Sequence, residues 1–295
     1  LLIRNTAAPG IHAWLTHPYP SLPPIVRSLQ RRAPVTDRIR PGSPGLASPP
    51  LGVYGPAMRC VLLHGFAGDP ASWEDVALAT DAERLALPGH LGGGPLALDW
   101  DSNLAAIAAR IGRCDAVIGY SLGARVALGL VIGGYAPRGV LISVNPGIAD
   151  HERAARRASD AVWAELARRR GTAAFVDAWQ AQPLFATQAR APAERLAVRR
   201  TRRLALDPEQ LARSLETMGL AEMPDYRARV DDRVALIAGA DDAKYVAIAR
   251  GLPARLELIA DSGHDPTLEQ PVALARAIDR AIDRTIDRTI RGDRG

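Results

Sequence analysis

The sequence predicts an α/β fold, a mostly parallel sheet flanked by helices with a helical cap insertion, and three observations predict it. Short apolar runs alternate with stretches of helical spacing from Arg59 onward. One run, Ala116 to Ile118, leads through Gly119-Tyr120-Ser121-Leu122-Gly123 directly into a helical stretch, Ala124 to Ile132. Between Pro146 and about Met223 the alternation gives way to helix-forming, arginine-rich sequence. Strands separated by helices pair in parallel and are buried on both faces, which is why their residues are apolar without interruption.

Taken in order, residues 1–57 read as an N-terminal extension, unstructured or artefactual. Prolines run through it, and Asp37 is its one acid, so it cannot bury enough apolar surface to offset its ordering entropy. The fold is expected to begin near Met58. Arg59 to Leu63 reads as a strand, followed by His64-Gly65-Phe66 and a helix around Trp73 to Ala79. Arg84 to Leu87 gives a short strand closed by Pro88-Gly89-His90, and Asn103 to Ile111 a helix. Gly139 to Val144, Val234 to Ala238 and Leu256 to Ile259 complete the strands. The expected division is a core of residues 58–146 and 224–290, with a cap of residues 147–223 broken at Gly171, Pro183 and Pro192. That insertion is too long for a simple connection. The tail repeats Ile-Asp-Arg every four residues and extends the last helix, with Arg280 expected to pair with Asp283.

Strand, Gly-x-Ser-x-Gly, helix is the nucleophile elbow of the α/β-hydrolase fold. A Cβ two residues either side of the serine would meet neighbouring backbone, which is the reason for the glycines. A serine so placed needs a histidine as base, and the histidine needs a carboxylate to fix its tautomer. In this fold they follow in the order Ser, Asp, His, each after a strand end. His264 follows the last strand in Asp261-Ser-Gly-His264. Asp241 and Asp242 compete for the acid, and the Gly239-x-x-Asp spacing favours Asp242. The backbone N–H groups of Phe66 and Leu122 are the expected oxyanion donors. His64 and His90 read as histidines bonded to loop backbone. Arg125 lies one helical turn past Ser121.

Composition narrows the classes. The net charge of +5 is carried almost wholly by arginine, since Lys244 is the only lysine. No nucleic-acid motif or aromatic interleaving accompanies it, so nucleic acid is not expected as a partner. No apolar run reaches membrane-span length, and no Cys/His cluster has metal-ligand spacing. Cys60 and Cys114 read as reduced, buried thiols, which suits a cytoplasmic protein.

Together, Leu63-His-Gly-Phe-Ala-Gly, Leu87-Pro-Gly-His, Gly119-Tyr-Ser-Leu-Gly-Ala-Arg, Gly239-Ala-Asp-Asp-Ala-Lys-Tyr and Ser262-Gly-His resemble one family. It is the 2-succinyl-6-hydroxy-2,4-cyclohexadiene-1-carboxylate synthase of menaquinone biosynthesis. The resemblance runs from about Met58 to Pro271 and includes Trp179-Gln-Ala-Gln-Pro183 in the insertion. It implies a lyase that eliminates pyruvate from 2-succinyl-5-enolpyruvyl-6-hydroxy-3-cyclohexene-1-carboxylate, with Ser121, His264 and the acid acting as a base. It implies substrate binding by Arg125, Arg156 and Arg203, with Tyr120 and Trp179 lining the pocket. It further implies no cofactor, a small polycarboxylate substrate as partner, a monomer and a cytoplasmic location. A serine carboxylesterase, thioesterase or C–C bond hydrolase fits the same fold and triad. A non-catalytic binding protein on that fold is the remaining alternative.

Overall fold

The computed structural model describes residues 58–292, with side-chain surroundings for residues 58–283. The expected extension, residues 1–57, lies outside the described residues. Among the described residues, six strands form one sheet: β1 (Cys60–Leu63), β2 (Ala82–Leu85), β3 (Ala116–Tyr120), β4 (Gly139–Ile142), β5 (Val234–Gly239) and β6 (Arg255–Ile259). Their order is β2-β1-β3-β4-β5-β6, and every neighbouring pair is parallel. The chain steps from β1 out to β2, then returns to place β3 on the other side of β1. The direction of winding therefore changes between β1 and β3, and ligands of such sheets bind at the carboxyl ends there.

Alternate residues of the central strands face opposite layers. Val61, Leu63, Val117, Leu141 and Leu236 pack with α1 (Trp100–Ile111) and α2 (Leu122–Ile132). Cys60, Leu62, Ala116, Ile118, Val140, Ile142 and Ile237 face the other way, onto Leu274, Ala277 and Ile278 of α8 (Pro271–Gly292). Two one-sided cores thus clamp the sheet and fix its register, since a slip by one residue would exchange the two faces. The shorter α6 (Ala243–Arg250) and the single-turn α7 (Pro266–Glu269) follow β5 and β6.

Between β4 and β5 the chain runs through α3 (Asp150–Gln180), a 3-10 stretch Pro183–Arg190, α4 (Ala193–Leu204) and α5 (Pro208–Thr217). The breaks fall where the sequence signals them. Gly171 kinks α3 with φ 74° and ψ 175°, Pro183 starts the 3-10 stretch and Pro192 caps α4. Ala164, Ala167, Phe175, Val176, Leu211 and Leu215 give this segment a core of its own, joined to the sheet domain through Phe66 and Ala67.

Two local expectations fail. The helix around Trp73 to Ala79 is a 3-10 turn, Pro70–Trp73, followed by irregular chain. Only Trp73 and Val76 there are fully buried, and a spacing of three suits the tighter turn as well as an α-helix. The Ala79 amide then bonds the Asp279 carboxylate of α8 at 3.1 Å instead of a helical carbonyl. Arg280 pairs with Glu257 on β6 rather than with Asp283, because the strand edge lies beneath that face of α8.

Candidate active site

Backbone crowding builds the elbow. A Cβ on Gly119 would stand 2.1 Å from the Gly123 carbonyl oxygen, and one on Gly123 would stand 2.1 Å from that of Leu63. Strand, turn and the end of β1 are therefore pressed together without room for side chains. Ser121, at the apex, adopts φ 53° and ψ −107°, a strain of about 1–3 kcal/mol that the surrounding structure holds in place. Its amide donates to the Ile142 carbonyl at 2.9 Å, so β4 grips the turn from the far side.

The Ser121 hydroxyl donates to His264 Nε2 at 3.1 Å, and His264 Nδ1 donates to Asp242 Oδ2 at 2.9 Å. The other Asp242 oxygen accepts from the Tyr245 amide at 3.2 Å. Asp242 and His264 are 6% and 3% exposed, so the pair interacts away from bulk water. Asp241 instead turns to the surface and bonds Arg190 at 2.6 Å. Of the two competing acids, only Asp242 reaches the histidine.

Leu122 is the first residue of α2, whose leading N–H groups have no partner within the helix. Phe66 follows β1, which pairs directly with β3, so both backbones flank Ser121. Two buried histidines set the Phe66 loop. His64 Nδ1 donates to the Gly65 carbonyl and Nε2 accepts from the Leu87 amide. His90 Nδ1 donates to the Pro88 carbonyl, and Nε2 accepts from the Ala67 amide at 3.1 Å. Each ring is thus held as the neutral Nδ1–H tautomer, with an N–H donor facing the only site a proton could join. Burial lowers the pKa of His64 to about 3 and that of His90 to about 4.

That arrangement makes the fold acid-sensitive. The folded pKa values lie below the unfolded value of 6.5, so the unfolded chain gains protons that the native state refuses. Stability from this source is complete above about pH 6.5 and falls as pH drops toward 4, by about 1.4 kcal/mol per histidine per pH unit. Urea unfolding midpoints should decline from pH 7 to pH 5, and less steeply in His90→Gln. A flat profile would show the two rings ionising freely in the native state.

All ten residues predicted from the sequence line one cavity of about 480 Å³ at the carboxyl ends of the strands. They are Phe66, Tyr120, Ser121, Leu122, Arg125, Arg156, Trp179, Arg203, Asp242 and His264. Arg125 donates to the Met218 carbonyl at 2.9 Å and lies over the Trp100 ring. Arg156 pairs with Asp160 at 2.9 Å. Arg203 is 6% exposed, and its Nε and Nη1 have no partner among the described residues. Burial, and after it the neighbouring guanidinium of Arg156 or Arg199 respectively, lowers Arg125 and Arg203 to about 10. Both remain cationic at neutral pH. Arg125, Arg156, Arg203 and Lys244 against Asp242 and Asp160, the partner of Arg156, leave the cavity positive, which suits an anionic ligand.

A chain of rings roofs it. Trp179 stacks on Phe175 at 5.5 Å and meets Phe66 at 4.9 Å, while Phe185 lies 6.0 Å from the His264 ring. Phe185, Tyr245, Asn145, Gln182 and Lys244 also line the cavity and were not assigned there from sequence. Tyr245 had a usable signal, standing three residues past the triad acid, which puts its ring 4.4 Å from that of His264. Gln182 and Lys244 stand within the quoted motifs Trp179-Gln-Ala-Gln-Pro183 and Gly239-Ala-Asp-Asp-Ala-Lys-Tyr, whereas Phe185 and Asn145 had no signal and reach the cavity through the path of their loops. Among the described residues no group of three His, Cys, Asp or Glu side chains is placed to hold a metal, and no helix is long and apolar enough to cross a membrane.

Comparison with known proteins gives the family. The alpha/beta hydrolase family model matches residues 60–277. The 2-succinyl-6-hydroxy-2,4-cyclohexadiene-1-carboxylate synthase of Klebsiella pneumoniae (strain 342) is 35% identical over 228 residues, 72% of this chain and 89% of the relative. The enzyme of the same name from Escherichia coli O157:H7 is 33% identical over 233 residues, 74% of this chain and 91% of the relative. The structure of MenH from S. aureus superposes with a TM-score of 0.71 at 26% identity, covering 79% of this chain and 96% of that one. A thermophilic esterase from Thermogutta terrifontis, at 22% identity and a TM-score of 0.62, shares the fold. The chain belongs to the α/β-hydrolase family and, within it, to the 2-succinyl-6-hydroxy-2,4-cyclohexadiene-1-carboxylate synthases.

Proposed function

We propose that this protein is the carbon–oxygen lyase of menaquinone biosynthesis that eliminates pyruvate from 2-succinyl-5-enolpyruvyl-6-hydroxy-3-cyclohexene-1-carboxylate. The observation that carries the reading is the convergence of Arg125, Arg156 and Arg203 on the cavity that holds Ser121 and His264. An esterase acting on neutral acyl groups has no use for three cations there. A ring substrate bearing several carboxylates does.

In this reading Ser121 takes the ring proton and passes its own to His264 Nε2, while Asp242 stabilises the imidazolium that forms. The electron pair of the broken C–H bond forms the new ring double bond. The C–O bond to the enolpyruvyl group breaks, its electron pair leaves on the oxygen as the enolate, and the enolate takes the proton from His264 to become pyruvate. The N–H groups of Phe66 and Leu122 hold the negative charge that develops. Trp179 and Tyr120 pack the ring, and no acyl-enzyme forms. A cytoplasmic location belongs to the same reading, supported by the free thiols of Cys60 and Cys114.

The test is to supply the pathway intermediate and follow pyruvate with a coupled dehydrogenase. Saturable pyruvate release that disappears in Ser121→Ala is expected. A trapped acyl-Ser121 with rapid ester turnover, and no pyruvate from the intermediate, would replace the lyase with an esterase.

A further inference from the structure

His264 sits on a loop, and a base on a loop is only as well placed as the peptide groups around it. Three contacts fix these groups. The Ser143 hydroxyl donates to the His264 carbonyl at 2.9 Å. The amide before the histidine, on Gly263, donates to Glu269 Oε2 at 2.7 Å. The amide after it, on Asp265, donates to Glu269 Oε1 at 3.3 Å. One carboxylate therefore spans both sides of the histidine from the single-turn helix α7.

The same loop is the seat of the insertion. Thr187 Oγ1 donates to Glu269 Oε1 at 3.2 Å, and the Thr187 side chain packs so closely on Gly263 that a Cβ there would stand 2.1 Å from it. Asp265 is fully buried and forms an ion pair with Arg199 of α4. Its carboxylate also accepts from Thr267 Oγ1 at 2.6 Å and from Gln188 Nε2 at 3.4 Å. Burial works against that charge, but Arg199, Thr267 and Arg203 outweigh it and keep the Asp265 pKa below its ordinary value. A buried ion pair adds little net stability over an apolar pair of the same size, yet it tolerates one arrangement only.

We infer that Glu269 is a positioning residue for His264, and that seating of the insertion through Thr187 and the Arg199–Asp265 pair completes the positioning. This rests on His264 acting as the base of the proposed reaction. The insertion then does more than cover the cavity, because its docking sets where the imidazole stands. Misplacing a catalytic group by about 1 Å can cost on the order of a hundredfold in rate.

The experiment compares wild type, Glu269→Gln, Arg199→Gln and Arg199→Lys. It includes Ile278→Val as a control, a buried variant on α8 expected to lower Tm, whose side chain takes no part in the hydrogen bonds and ion pair above. Glu269→Gln should lower kcat for pyruvate release at least about tenfold with KM changed less than about twofold. Arg199→Gln should do the same more weakly, and Arg199→Lys should recover most of the loss. In the proton NMR spectrum without substrate, the downfield line of the His264 Nδ1–H bonded to Asp242 should shift or broaden in the first two variants and stay put in Ile278→Val. An unchanged line and unchanged kcat in Glu269→Gln would overturn the inference, as would losses in all variants that simply follow Tm. Should Glu269→Gln fail to fold, Arg199→Gln decides by the same criteria. The NMR line needs no substrate, so a wild type that releases no pyruvate defeats the proposed reaction while this test still stands.

Discussion

Asp242→Asn is expected to reduce pyruvate release by roughly ten-thousand-fold, whereas Asp241→Asn stays within about twofold of wild type. The reasoning is geometric. Asp242 is buried and accepts from His264 Nδ1. An asparagine amide in its place would present a donor to that nitrogen and force the imidazole into the wrong tautomer, with Nε2 protonated and unable to accept from Ser121. Losses of about four orders of magnitude accompany that change in serine–histidine–aspartate sites. The Asp241 carboxylate pairs with Arg190 at the surface, and exposed pairs contribute about 0–1 kcal/mol. Steady-state rates on the pathway intermediate decide it. A reversed ranking would mean that the loop after β5 rearranges in solution and presents the other acid.

Arg125→Ala should cut pyruvate release by roughly thirty-fold to several thousand-fold, corresponding to the 2–5 kcal/mol typical of losing one partner of a buried charged pair. Hydrolysis of a small neutral ester, if any is measurable, should change by less than about threefold, because it offers no carboxylate. The comparison is needed because Arg125 also bonds the Met218 carbonyl and lies over Trp100. Removing it could therefore loosen the chain that follows α5. Equal losses on the two substrates would assign Arg125 to holding that segment rather than to reading substrate.

Much of this site was legible in the sequence because its signals are local. The elbow glycines are dictated by backbone contacts at the serine itself, and the acid and histidine each follow a strand whose apolar run is plain. Asp242 and Asp241 could be ranked by spacing, but separating them took the burial of one and the surface pairing of the other. What stayed hidden depends on distant partners. The stretch around Trp73 to Ala79 reads as a helix until Asp279, far along the chain, takes the Ala79 amide. Phe185 and Asn145 carry no pattern of their own and reach the cavity only through the path of their loops. The Arg199–Asp265 pair was equally invisible, since one more arginine in an arginine-rich helix looks like a solvated face. Only burial marks it out.

The kink at Gly171 has an evolutionary consequence. With φ 74° and ψ 175° it occupies a region open essentially to glycine alone, although nothing lies within 4 Å of where a Cβ would stand. Space is free there, but handedness is not. The final turns of α3, which carry Phe175 and Trp179 over the cavity, take their heading from this one residue. Substitution cannot adjust that heading gradually, because almost any other residue abandons it. Lineages of this enzyme are therefore free to retune what they accept by exchanging side chains such as Trp179 or Phe185. The frame that presents those side chains can change only in a jump.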